Sequence, residues 1–191
     1  MNTKCIRLAA LAGIFALSPL VLADSDKDAS NTQDQKFVTK AWTINTAEAR
    51  LGKLAQSNAS NGDVKEFAQQ MIKDHEDLNQ QLKDAADKEG DALPTDLDQE
   101  HTDLYNRLSN LSGADFDKAY MSAMIKGHTK AIAAFNDEIK TPSQTPVELW
   151  AEQTLPKLKM HAEMAKKTAK EVGAPDDSAA AQANEEPAMG K

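Results

Sequence analysis

The 191-residue chain has little of what most enzymes and most secreted modules depend on. Its one cysteine, Cys5, lies in the first seven residues, MNTKCIR. A chain that loses that segment can form no disulfide, whatever compartment it reaches. Aromatic residues make up only 5% of the chain and the formal net charge is −8 at pH 7. An acidic, aromatic-poor surface is a poor partner for nucleic acid and for anionic lipid. No segment alternates apolar and polar residues with period two, so no sheet is expected. A serine nucleophile elbow, a nucleophilic cysteine and a glycine-rich phosphate loop are all missing. After the first 23 residues no apolar run approaches the length of a membrane span.

The N-terminus reads as an export signal. Lys4 and Arg7 precede the apolar LAALAGIFALSPLVLA, and Val21 and Ala23 occupy the small-residue positions of a cleavage site. Cleavage after Ala23 is expected, with a periplasmic or otherwise exported product. Cys5 precedes the apolar run, so it is not a lipoprotein cysteine. Residues 24–35 and 173–191 are polar and lack periodicity, and both are expected to be disordered. The domain is therefore expected at 36–172.

Within that domain, helix punctuation is dense. Thr145-Pro146-Val147-Glu148 is a capping box with proline at the first helical position; Ser60-Asn61-Gly62-Asp63, Thr95-Asp96-Leu97-Asp98 and Ser112-Gly113-Ala114-Asp115 are weaker relatives of it. Gly90, Gly113, Pro142 and Gly173 supply the stops. These marks predict helices over about 35–58, 61–89, 96–111, 113–140 and 146–172. Each carries a single apolar stripe at spacings of three and four, so all share one core. The chain between the second and third long helices, with a short helix inside it, is long enough to return along the bundle. This predicts an all-α, ferritin-like four-helix bundle with a short helix in the crossover, the second and third long helices being parallel.

The repeated segments MIKDH and MIKGH, Met71–His75 and Met124–His128, then fall at one level on two parallel helices. Each long helix interrupts its stripe once with a metal-capable residue: Glu48, His75, His128 and His161. At 1.5 Å per residue the four are expected near mid-bundle. Three imidazoles and a carboxylate suit one divalent transition metal, with zinc, iron or manganese favoured over copper. The alternative is four polar core residues satisfied internally, with Asp74, Glu76, Asp77, Glu163, Tyr105 and Tyr120 as hydrogen-bond partners. Met71, Met124 and Met164 lie within a turn of the histidines and read as core fillers rather than soft ligands. His101, on the crossover helix, reads as packing. Gly52 and Gly127, in mid-helix near Glu48 and His128, point to a need for space, either for a bound species or for close helix contact. Pro156 should kink the last helix just before His161.

The segments FVTKAWTINTAEARLGKLA, VKEFAQQMIKDH, LSGADFDKAYMSAMIKGH and LPKLKMHAEMA resemble the secreted bacterial family of unknown function numbered 4142, over about Phe37 to Val172. Some members of that family carry the label of outer membrane protein, but a barrel is at odds with the absence of strand patterning. The resemblance implies a ferritin-like fold and supplies no activity. Di-iron members of the ferritin-like class use Glu-x-x-His pairs. Here Ile72 and Leu158 stand where the glutamates would be. Three functions therefore compete. The first is a metal-binding bundle of the envelope, in buffering or stress protection. The second is a metal-free structural or interaction module with an unidentified envelope partner. The third is a redox metalloenzyme, which the missing carboxylates leave with least support. The chain is expected to be a monomer or weak homo-oligomer, and more a binder than an enzyme.

Overall fold

A computed structural model describes residues 25–140 and 142–176, with side chains from Gln33 onward. The expected signal peptide and most of the C-terminal tail lie outside the described residues. Five helices follow in order: α1 Ser25–Asn58, α2 Gly62–Glu89, α3 Gln99–Ser109, α4 Gly113–Glu138 and α5 Pro146–Val172. No strand occurs among the described residues. None of these helices is long and apolar enough to cross a membrane.

The caps explain the boundaries. Asn61 accepts hydrogen bonds from the Asp63 and Val64 amides, while Gly90 closes α2 in the left-handed region at φ 81°. Thr145 accepts from the Glu148 amide, Pro146 follows at the first helical position, and Gly173 closes α5 at φ 67°. Two expectations are corrected. The short helix begins three residues later than the capping box at Thr95 suggested, because the Asp98 carboxylate takes the His101 amide instead. Residues 25–35, expected outside the fold, belong to α1. Its docked end is held where Gln35 exchanges hydrogen bonds with the backbone of Ala92, accepting at 2.8 Å and donating at 2.9 Å.

Helix directions follow from which ends meet. Gln33 near the start of α1 reaches Glu138 at the end of α4, and Asn58 at the end of α1 donates to the Leu111 carbonyl just before α4. These two helices are antiparallel. So are α2 and α5, since Glu89 accepts from the Val147 amide and Asp74 meets Lys157 and His161. Between α2 and α4, Phe67 faces Tyr120 and His75 faces His128, so that diagonal pair runs parallel. This is the crossover topology expected from the sequence.

The core is in two parts. One end is built on Phe37, Leu78, Leu82, Phe135, Trp150 and Leu158. The other is built on Leu51, Phe67, Met71, Phe116, Tyr120 and Met124. Between these clusters every long helix carries buried polar residues. Asn45, Glu48, Asp74, His75, His128 and His161 are all buried between them.

Candidate metal centre

Four helices each bring one side chain to the polar layer. Glu48 comes from α1, His75 from α2, His128 from α4 and His161 from α5, and none is more than 3% exposed. The imidazoles form a triangle with ring centroids 5.8 Å (His75–His128), 5.3 Å (His75–His161) and 5.4 Å (His128–His161) apart. One nitrogen of each ring lies within 4.8 Å of one nitrogen of each of the others. The Glu48 carboxylate reaches His75 Nε2 at 2.7 Å and His128 Nδ1 at 3.4 Å. The four residues expected at one level from the sequence are thus brought together.

One nitrogen of each ring is already engaged. His128 Nδ1 donates to the Met124 carbonyl at 2.9 Å. His161 Nε2 donates to Asp74 Oδ2 at 2.8 Å. His75 Nδ1 lies 3.0 Å from Asn45 Oδ1. A carbonyl or carboxylate oxygen can only accept, so the protons of neutral His128 and His161 reside on those nitrogens and the opposite nitrogens keep their lone pairs; the Asn45 amide can turn either its oxygen or its nitrogen to His75, so the proton on that ring follows the amide. Those opposite nitrogens, His75 Nε2, His128 Nε2 and His161 Nδ1, are buried without a hydrogen-bond partner, as is Glu48 Oε2. His75 Nε2 and Glu48 Oε2 stand 2.7 Å apart, and both are left unsatisfied unless a proton or a cation lies between them. Each such atom costs about 1 to 3 kcal/mol when left unpaired, a heavy load on a domain whose whole stability is about 5 to 15 kcal/mol.

Electrostatics favour neutral His128 and His161 beside charged carboxylates. Burial lowers the pKa of His128, and the opposing pull of Glu48 only partly offsets it. Burial and the neighbouring His75 bring His161 down to about 4, against the support of Asp74. Burial would raise Glu48, but His128 and His75 beside it outweigh this and hold it at about 2. Burial would likewise raise Asp74, but Gln70, His161 and Lys157 hold it at about 2.

The structure also separates the two mid-helix glycines. A Cβ on Gly52 would meet Ile72 Cγ1 at 2.8 Å and the Ala68 carbonyl at 3.0 Å, so this glycine answers to the close approach of α1 and α2. A Cβ on Gly127 would meet Glu48 Oε1 at 3.0 Å, so this one leaves room for the carboxylate. On that same face Glu48 and Gly127 help to line a cavity of about 520 Å³ roofed by α3. His101 lines it too, pairing with Asp98 at 2.6 Å and standing apart from the other histidines.

Sequence reading missed Asn45, which sits one turn before Glu48 and ties His75. It named Asp74 only as one of several carboxylates near the histidines, without its bonds to His161 and Lys157. Tyr120 hydrogen-bonds none of the histidines: its hydroxyl is buried without a partner, and burial together with the Glu48 charge pushes its pKa up.

No curated protein and no solved structure matches the chain at a significant level. A family model described as a domain of unknown function, DUF4142, matches residues 20–168, and the chain belongs to that family.

Proposed function

We propose that the polar layer binds one divalent transition-metal ion, with His75 Nε2, His128 Nε2, His161 Nδ1 and the Glu48 carboxylate as ligands, and that the protein is an exported metal-binding bundle serving metal buffering or stress protection in the cell envelope. The observation that carries this reading is the triangle of three buried imidazoles, each with one nitrogen engaged by a neighbouring group and the other buried without a hydrogen-bond partner. Metal-bound histidines are held in just this way. Three nitrogens and one oxygen suit zinc, iron or manganese. Met71 and Met124 are packed in the apolar cluster, which leaves little support for copper(I). Ile72 and Leu158 cannot serve as bridging ligands, so a di-iron redox enzyme has the least support. The cavity on the α1–α4 face reaches the Glu48 carboxylate but none of the three histidines, so of the four proposed ligands Glu48 alone borders it.

Metal analysis of chain made without a polyhistidine tag tests the proposal. The expected result is about one metal per chain, lost in the His75→Ala/His128→Ala double variant, with a lower melting temperature in chelator. Metal-free protein from metal-replete cells, with a melting temperature indifferent to chelator, overturns it.

A second reading rests on Asn45, whose Nδ2 is buried and unpaired. Rotating that amide would let Nδ2 donate to His75 Nδ1, placing the ring proton on Nε2 toward Glu48. The layer would then be a metal-free hydrogen-bonded plug in a structural or interaction module. The tautomer of His75 in chelated protein, read by nitrogen NMR, separates the two: a proton on Nδ1 favours the metal, a proton on Nε2 the plug.

A further inference from the structure

A second group of buried ionisable side chains lies at the other end of the long apolar cluster, where α1 enters the bundle and α2 and α4 end. Asp34 from α1, Glu138 from α4, Glu148 from α5 and Asp91 from the α2–α3 connection are each at most 8% exposed. Glu89, the last residue of α2, joins them. The Asp34 carboxyl is within hydrogen-bond reach of both Glu89 and Glu138, and its charge is felt by Asp91. The described partners of these groups are neutral. Glu89 Oε1 accepts from the Val147 amide at 2.7 Å, and Glu138 Oε2 from the Gln33 amide group at 3.4 Å. Glu148 turns one oxygen, Oε2, to the α4–α5 connection, where it takes the Ser143 amide, the Ser143 hydroxyl and the Gln144 amide.

Two carboxylates at hydrogen-bond distance, away from water, repel strongly unless a proton or a cation lies between them. Asp34 faces two such neighbours at once. Its Oδ2 is buried with no hydrogen-bond partner, and Asp91 Oδ2 is in the same state. These orphaned oxygens, together with the carboxyl groups of Glu89 and Glu138, come from three helices and a connection that the fold brings to one place. All are hard oxygen donors, and no imidazole or thioether is among them.

We propose that this end of the bundle is a second cation site, in which Asp34, Glu89, Asp91 and Glu138 supply oxygen ligands to one hard divalent cation of the calcium or magnesium type. Ligands on four separate segments suit the larger, geometrically tolerant calcium ion better than the strictly octahedral magnesium ion. The bound ion would staple the start of α1 to the ends of α2 and α4. Without it the cluster must hold protons instead. Burial and the charge of Asp34 raise Glu89 and Glu138 to about 7 each, and raise Asp91 as well.

The test is isothermal titration of the metal-free full chain with calcium chloride and, separately, with magnesium chloride at pH 7.5, alongside thermal melts in each salt. The expected result is one saturable calcium site, a melting temperature raised by several degrees, and weaker binding of magnesium. Asp34→Asn/Glu138→Gln should abolish both the heat and the shift, and the neutral side chains preserve the shape of the site. If that variant does not fold, the wild type still decides, because calcium entering the cluster must displace protons, read as acidification of a weakly buffered solution at pH 6.5. His75→Ala/His128→Ala should bind calcium as the wild type does, which keeps this site distinct from the imidazole centre. Absence of saturable calcium binding by the wild type at millimolar concentration, or binding untouched by Asp34→Asn/Glu138→Gln, overturns the proposal and leaves a cluster neutralised by protons alone.

Discussion

Asp74 shows how much of the imidazole centre depends on residues that would never touch the metal. Its carboxylate receives His161 Nε2 at 2.8 Å, Lys157 at 2.9 Å and Gln70 at 2.6 Å, and so fixes both the tautomer and the angle of the His161 ring. Asp74→Asn keeps the shape and removes the charge. Its amide can also rotate to present a donor, which would force the His161 proton to the other nitrogen. Loss of such a partner costs roughly 10- to 100-fold in metal affinity, and we expect that range in a chelator competition assay with little change in secondary structure. Affinity equal to the wild type would sink the role assigned to Asp74. The four polar interruptions of the stripes were legible because the helical period sets each on an apolar face. The residues that orient them were not. Asp74 is adjacent in sequence to His75 but serves His161, a choice made by the packing of α2 against α5.

At the scale of single helices, the two mid-helix glycines make opposite predictions. Gly52→Ala gains about 1 kcal/mol of helix propensity. It also drives a methyl group into the Ala68 carbonyl, which cannot move aside without shifting α2. Overpacking of this kind costs about 1 to 3 kcal/mol. The variant should therefore melt lower than the wild type while binding metal normally. Gly127→Ala gains the same propensity but presses on Glu48 Oε1, the end of a side chain that can swing away. It should melt no lower in chelator and bind metal more weakly. Urea unfolding and metal titration of both variants check the pair, and the same pattern in both would remove the distinction. The sequence marked both glycines as demanding space but could not say for what, since Ile72 and Glu48 become their neighbours only in the folded bundle. The early start of α1 was hidden for a related reason. Asp34 occupies a buried stripe position, yet an aspartate there reads as solvent-facing until its partners on α2 and α4 are known.

For the molecule as a whole, two buried ionisable layers pull stability in opposite directions with pH. The folded pKa of Glu89 and of Glu138 is raised from 4.5 to about 7. Their contribution to stability is full below pH 4.5 and is lost as the pH rises to about 7. His161 is lowered from 6.5 to about 4. Its contribution is full above pH 6.5 and is lost as the pH falls to about 4. Between pH 4.5 and 6.5 the two slopes oppose, so metal-free wild type should show a shallow profile there. Below that window Glu48 and Asp74, both held at about 2, add their loss to the acid side. Glu89→Gln/Glu138→Gln removes the carboxyl slope but leaves amides that keep the Val147 and Gln33 contacts within reach. The imidazole slope then dominates, opposed by Asp91 alone among the raised carboxyls, and stability should rise with pH from 4 to 6.5 by on the order of 2 to 3 kcal/mol. The carboxyl pair offsets less than its full shift because Glu89 is only half-buried and solvent screens it. Urea titrations in chelator at half-unit pH steps give both profiles. Parallel curves for variant and wild type would mean that the acidic end does not hold protons in the folded state. A steeper rise in the variant would place the opposing slopes where the two layers lie, at mid-bundle and at the end of the bundle.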